Sequence, residues 1–282
     1  MSAQAIGVGR VIGGTTRVAA VIGWPVAHSK SPAIHNAGFA AAGIDAVYVA
    51  LAIAPENLAA AVRGMAAQGM LGASVTVPHK EAVIGSCDRL DASAEGAGAV
   101  NCLVFEDGAI VGHNTDAGGF VDAVEEGLAV QPAGLRVVLL GAGGAARAVA
   151  AGLGAAGCQS LQVVARKPVR VTWCQARPWN DVELASLLKV CDLLVDCTPV
   201  DLGKGAYPSM PDLDRMAPGS KVVSLVYGQP SGQPSALLAA AAAAGLGHQD
   251  GTTMLLHQGA RAFTLWTGVD APLDAMRAAL GA

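Results

Sequence analysis

The sharpest chemistry-bearing motif is Val137-Val138-Leu139-Leu140-Gly141-Ala142-Gly143-Gly144-Ala145-Ala146-Arg147. An apolar strand runs into a glycine turn and then into a helix-forming stretch. Gly141 permits the tight turn, Gly143 lets the backbone approach a pyrophosphate, and the small Ala146 lets helix pack closely on strand. Around Ala142, Gly144 and Ala145 the start of the helix offers free N–H groups and the positive end of its dipole to phosphate. In its strand–turn–helix setting, this pattern predicts a dinucleotide site.

The next apolar run separates the two nicotinamide cofactors. An NAD site places Asp or Glu at the end of that strand, against the ribose 2′-hydroxyl. Here residues 161–165 end in Arg166-Lys167, with Arg170 close behind and no acid among them. Guanidinium binds phosphate in a bidentate fashion, so the cluster suits the 2′-phosphate of NADP. Polar residues also gather at strand ends and turns earlier in the chain, where sites are usually built. They lie in Gly23-Trp24-Pro25-Val26-Ala27-His28-Ser29-Lys30-Ser31-Pro32, Ser74-Val75-Thr76-Val77-Pro78-His79-Lys80, Gly98-Ala99-Val100-Asn101 and Asn114-Thr115-Asp116.

The elements that must hold these residues alternate. Short apolar runs at 18–22, 46–52 and 72–77 read as strands, the last stopped by Pro78. Helical stretches at 33–42 and 55–68 end at Gly43 and Gly69, the first with Ser31 as N-cap and Pro32 in the opening turn. Residues 100–105 and 109–112 flank a hairpin turn at Glu106-Asp107-Gly108. Thr115 or Asp116 caps a helix running to about residue 128. Strands at 135–140, 161–165, 193–197 and 221–226, with a helix at 145–156, have the continuous apolar character of a parallel sheet covered on both faces. The end of the chain, from about 253 to 282, reads as helical, and the first dozen residues as a flexible tail.

Composition removes other classes. Of 282 residues 52% are hydrophobic and 14% charged, which suits a large packed core rather than disorder. With net charge −4 and 4% aromatic residues, nothing forms a basic, aromatic-lined nucleic-acid groove. No apolar run approaches the roughly 18 residues of a membrane span, and Arg17 interrupts a would-be signal segment, so a cytoplasmic protein is expected. Cys87, Cys102, Cys158, Cys174, Cys191 and Cys197 form no C-x-x-C pair, and the six histidines lack paired metal-site spacing. The cysteines read as reduced, mostly buried thiols, and no metal is expected.

Taken together, the ordered polar motifs resemble the shikimate dehydrogenase family over nearly the whole chain from about Arg17. The resemblance implies that Ser29 and Ser31 hold a substrate carboxylate and that Lys80 and Asp116 are the catalytic pair. Ser74, Thr76, Asn101, Tyr227 and Gln258 are implied as further substrate ligands, and Thr198 as a cofactor contact. It also implies a two-domain α/β protein. A substrate domain with a mostly parallel sheet would comprise 1–115 plus 251–282, and a Rossmann-type NADP domain 116–250. The reaction implied is reversible, NADPH-dependent reduction of 3-dehydroshikimate to shikimate.

These residue types suit that chemistry independently. Oxidising a secondary alcohol needs a proton acceptor, and the reverse needs a donor at the carbonyl. A lysine serves both ways when its surroundings bring its pKa toward neutrality, and a carboxylate holds it in place. Residue type leaves open which of Lys80 and Asp116 carries the proton. Some positions depart from the family pattern. Ser74 replaces Asn, Ala165 and Lys167 replace Asn and Thr around Arg166, and Asp196-Cys197 replaces Asn-Ala. Asp201 replaces Gly, Ser224 replaces Asp, and Thr252-Thr253 replaces Leu-Gly. These bear on substrate and cofactor preference more than on reaction class. They keep open a relative acting on quinate or aminoshikimate, with NAD as a possible cofactor. A nucleotide sensor without turnover would not need Lys80 and Asp116. His28, His79 and His257 read as packing groups beside the site. Monomer and homodimer are both open.

Overall fold

The computed structural model describes residues 12–200, 206–227 and 234–281. The first eleven residues and Asp201 lie outside the described residues. The chain builds two six-stranded sheets in succession. The first half contributes β1 (Arg17–Gly23), α1 (Ser31–Ala41), β2 (Ala46–Ala52), α2 (Leu58–Ala67), β3 (Gly72–Val75), β4 (Arg89–Leu90), α3 (Ala92–Ala97), β5 (Cys102–Glu106) and β6 (Ala109–His113). Its sheet runs β2-β1-β3-β5-β6-β4, parallel except where β5 pairs with β3 and β6. Asp107 (φ 50°) and Gly108 (φ 78°) make the two-residue turn of the β5–β6 hairpin, both with the positive φ of a type I′ turn.

Then follow α4 (Asp116–Leu128), β7 (Arg136–Leu140), α5 (Gly144–Ala155), β8 (Ser160–Ala165), β9 (Gln175–Pro178), α6 (Asp181–Leu188), β10 (Leu193–Asp196), β11 (Lys221–Ser224), α7 (Ala236–Ala243), β12 (Gly247–Gln249), α8 (Thr252–Thr267) and α9 (Leu273–Ala278). The second sheet is all parallel in the order β12-β11-β10-β7-β8-β9. That is the doubly wound arrangement, with its switch point between β7 and β10 and its ligand crevice beyond the carboxyl ends of the strands. The last helices return to the first sheet, where Phe263 and Trp266 of α8 join Phe39, Tyr48 and Val21 in one core cluster.

Helix α4 lies against both α5 and α8. Its small residues permit that approach, since a Cβ on Gly119 would come within 2.6 Å of the Gln258 backbone nitrogen. Among the described residues no helix is long and apolar enough to cross a membrane.

Several expectations need correction. Ser31 is not an N-cap: α1 begins at Ser31 itself, and no side chain caps it from Lys30. The Ser29 hydroxyl accepts the Ser31 N–H at 3.2 Å, so the preceding serine serves that donor. Strand β3 ends at Val75 rather than 77. The C-terminal stretch is two helices, split at the left-handed Gly268 and at Pro272. Of the cysteines, only Cys102 and Cys191 are fully buried, the other four partly so.

His35 of α1 is fully buried, with neither ring nitrogen hydrogen-bonded. It stacks on Tyr48 at 4.3 Å and abuts Trp266. Burial pushes its pKa from 6.5 down to about 3. Above pH 6.5 both states are neutral and the residue adds no pH dependence. Below it the unfolded chain takes a proton that the folded chain refuses. Stability should therefore fall by about 1.4 kcal/mol per pH unit from about 6.5 down toward 3. Urea midpoints of wild type and His35→Phe should diverge between pH 7 and pH 5 by about 2 kcal/mol of stability. Parallel curves would show that another group governs the acid limb.

Candidate active site

The motifs of the first half converge because the ends of β1 and β3 are stitched together. Thr76 donates its N–H to the Ile22 carbonyl, Trp24 to Val77, and Val75 to Asn101. Val100 donates to the Lys80 carbonyl at 2.8 Å, which carries Lys80 beside the Asn101 strip. Asp116 opens α4 directly opposite. Thr115 supplies no side-chain cap there, and the Asn114 carboxamide accepts the Ala117 N–H instead.

The Lys80 ammonium donates to Asp116 Oδ2 at 2.6 Å, with the lysine side chain 21% exposed and the carboxylate 8%. Asn101 Nδ2 donates to Asp116 Oδ1 at 2.8 Å, while Asn101 Oδ1 accepts the Thr115 N–H at 2.7 Å. Both carboxylate oxygens are thus engaged, and the amide that engages one is itself locked. The Lys80 ammonium, with three N–H bonds, gives one to Asp116 and keeps others for a ligand.

These groups line a cavity of about 180 Å³. Ser29, Ser31, Ser74, Thr76, Asn101, Tyr227 and Gln258 all face it, so every residue expected around the substrate meets in one place. Tyr48, from behind the wall, donates its hydroxyl hydrogen to Ser74 Oγ at 2.7 Å, which leaves the Ser74 proton available to the cavity. Burial, and secondarily the charge of Asp116, raises the Tyr227 pKa and keeps its phenol protonated. Gln258 returns on α8, its amide nitrogen donating to Leu255 and its oxygen 3.4 Å from Asn101 Nδ2. The remaining wall is apolar, with Val21, Val26, Leu225 and Met254. Sequence reasoning missed these four, since nothing distinguishes them from other core residues. His79 Nε2 donates to the Ile53 carbonyl at 2.7 Å and His257 pairs with Glu126, both as packing groups. His28 instead lines the cavity.

A second cleft, of about 550 Å³, lies beyond the carboxyl ends of β7, β8 and β10. Gly141, Ala142, Gly143, Arg166, Lys167, Arg170 and Thr198 line it. Gly141 has φ 96° and faces Thr198, whose Cγ2 would lie 3.0 Å from an added Cβ. Gly143 is the N-cap of α5 and no side chain caps it, so the first N–H groups of that helix are left for a ligand. Gly144 begins α5, and Ala145 faces the smaller cavity instead, where the two spaces approach each other. The cleft thus offers a phosphate cradle at one strand end and three exposed cations at the next, which fits a phosphorylated dinucleotide. Burial and the charge of Asp196 raise the pKa of the Cys197 thiol, which also lines this cleft, and disfavour its thiolate.

Comparison with known proteins agrees with this arrangement. Residues 21–103 match the model of the shikimate dehydrogenase substrate binding domain, and residues 251–280 that of the shikimate 5′-dehydrogenase C-terminal domain. A shikimate dehydrogenase (NADP⁺) of Citrifermentans bemidjiense is 41% identical over 96% of this chain and 97% of its own. The crystal structure of shikimate dehydrogenase from Aquifex aeolicus superposes with a TM-score of 0.84 at 33% identity, covering 96% of this chain and 99% of that one. The Thermus thermophilus enzyme, solved in complex with NADP(H) and shikimate, does so with a TM-score of 0.82 at 32% identity, covering 94% and 98%. With its likeness extending through both sheets and nearly end to end, the chain belongs to the shikimate dehydrogenase family.

Proposed function

We infer that this chain is an NADP-dependent shikimate dehydrogenase, interconverting 3-dehydroshikimate and shikimate. The observation that carries this reading is one cavity in which a Lys–Asp pair stands among neutral hydroxyl and amide groups, next to a phosphate-binding cleft. Its volume is small beside the roughly 300–1,000 Å³ of common ligand pockets, which suits one polyhydroxylated ring. The functional units on this reading are 1–115 with 251–282 for the substrate and 116–250 for the cofactor. The packing of α8 on the first sheet supports that division.

When bound, NADP would accept hydride and, reduced, donate it; Gly141, Ala142, Gly143, Gly144, Ala145 and Thr198 would hold it, and Arg166, Lys167 and Arg170 would bind its 2′-phosphate. Lys80 stands beside the reacting oxygen and moves the proton: as the ammonium it gives one to the carbonyl oxygen in reduction, and as the neutral amine it takes one from the alcohol in oxidation. Asp116, with both oxygens already accepting, holds Lys80 in place rather than exchanging the proton itself. Asn101 keeps Asp116 oriented. Thr76, Ser74, Tyr227 and Gln258 hold the ring hydroxyls, which fixes the face presented to the cofactor.

Ser29 and Ser31 bind the substrate carboxylate. Because Ser29 already accepts the Ser31 N–H, its own hydroxyl proton is free to point outward. Ser29→Ala and Ser31→Ala should mainly raise KM. Each lost hydrogen bond to a charged group costs roughly 1.5–3 kcal/mol, at least about tenfold. A ligand complex with the carboxylate elsewhere would overturn this assignment. The function as a whole is tested by following nicotinamide absorbance with shikimate, quinate and aminoshikimate against NADP⁺ and NAD⁺. Shikimate with NADP⁺ should give the highest kcat/KM. A preference for quinate or aminoshikimate would move the substrate assignment to that analogue.

A further inference from the structure

The side chain of Arg147, on the first turn of α5, leaves the cofactor helix and lies across Gly98 in the first half of the chain. A Cβ on Gly98 would overlap its guanidinium carbon and both terminal nitrogens. Gly98 closes α3 in the left-handed conformation, with φ 58°. Arg147 Nε is buried without a hydrogen-bond partner, and among the described residues no carboxylate pairs with this arginine. The contact is therefore not an ionic link. A flat group is wedged against the bare face of a glycine.

The position of that wedge gives it a consequence. Gly98 leads directly into the strip that holds the reacting pair. Ala99 accepts from the Asn114 side chain at 2.9 Å, Val100 donates to the Lys80 carbonyl, and Asn101 donates to Asp116. On the other side, Arg147 is three residues beyond Gly144, and its own N–H bonds to the Gly143 carbonyl in the phosphate-facing turn. We propose that Arg147 is a positioning residue. Its guanidinium plane on Gly98 sets the spacing between the cofactor turn and the Lys80–Asp116 pair. This rests on the functional reading above.

The test uses the full chain with shikimate and NADP⁺. Wild-type turnover of shikimate tests the functional reading, and the variants test the proposal. Arg147→Met should lower kcat by about tenfold or more, since displacement of about 1 Å can cost 100-fold. NADP⁺ affinity, measured by titration without substrate, and KM for shikimate should hold. The deuterium isotope effect on kcat with shikimate labelled at the reacting carbon should rise as hydride transfer becomes slower. Arg147→Lys, which keeps the charge but not the plane, should share the loss. Gly98→Ala should reproduce it, and the Gly98→Ala/Arg147→Met double variant should be no worse than either single one. Gly108→Ala, at φ 78° with open space around it, controls for alanine at positive φ and should keep wild-type kcat. Additive losses, restoration by lysine, weakened NADP⁺ binding or a loss of thermal stability with unchanged kcat would each overturn the proposal. So would a Gly108→Ala variant as slow as Gly98→Ala. If Arg147→Met does not fold, Arg147→Lys and Gly98→Ala decide the matter.

Discussion

Lys80→Ala should lower kcat by on the order of 100- to 10,000-fold, the usual cost of removing a positioned acid–base group. NADP⁺ binding should stay close to wild type, because Lys80 lines the smaller cavity and not the cofactor cleft. Asp116→Ala should also reduce turnover, by a different route. It removes the acceptor that fixes the ammonium at 2.6 Å and leaves Asn101 Nδ2 to its Thr115 and Gln258 partners. Asp116→Asn separates the roles. If Asp116 only holds Lys80, the amide oxygen still accepts from the ammonium and the variant should be faster than Lys80→Ala. If Asp116 were the proton carrier, the amide could not exchange the proton and Asp116→Asn should be as slow as Asp116→Ala. Steady-state kinetics beside a cofactor titration measures all three. Near-wild-type turnover in Lys80→Ala and Asp116→Ala would refute the catalytic assignment.

The cofactor turn was readable because its chemistry constrains the backbone. A residue at φ 96° facing Thr198 is strained if it carries a side chain, so the need for glycine at 141 is written in residue type. The substrate groups were readable as ordered motifs at strand ends, and the structure gathers them into one cavity. The apolar wall was not readable. Val21 and Leu225 follow the same burial pattern whether they face a ligand or a core. The Tyr48–Ser74 hydrogen bond joins residues 26 positions apart on strands flanking β1, which no local pattern reports. The expected Ser31 cap failed for a similar reason. Ser-Pro is a strong helix-start signal, but it cannot show that the Ser29 hydroxyl already takes that N–H. Helix α6 escaped notice although Asn180 caps it by accepting the Glu183 N–H. Its eight residues span little more than two turns, three of them facing solvent, so the apolar repeat is too short to tell a helix from a buried strand.

Arg166→Asp should convert the enzyme from preferring NADP to preferring NAD. The two cofactors differ by a 2′-phosphate of nearly two negative charges, and the strand order fixes where it belongs. Arg166 is the first residue after β8, the neighbour of the glycine-turn strand, where the ribose 2′ position sits in doubly wound folds. It lines the cleft with Lys167 and Arg170, all three exposed, and residues 161–171 hold no carboxylate to offset them. A charge-assisted phosphate contact is worth roughly 1.5–3 kcal/mol, so Arg166→Ala alone should reduce the NADP:NAD ratio of kcat/KM by about tenfold to a hundredfold. Lys167 and Arg170 would still attract the phosphate, which is why alanine weakens the preference without reversing it. Aspartate goes further, because its charge repels the phosphate and its oxygens can accept from the bare ribose hydroxyls. Because these groups face solvent, the wild-type preference should also shrink as salt rises from about 0.01 M to 1 M, where the screening length drops from roughly 30 Å to 3 Å. Ratios of kcat/KM for both cofactors, in wild type and both variants at low and high salt, supply the measurement. A salt-independent ratio that survives Arg166→Ala would mean that shape, not charge, selects the cofactor.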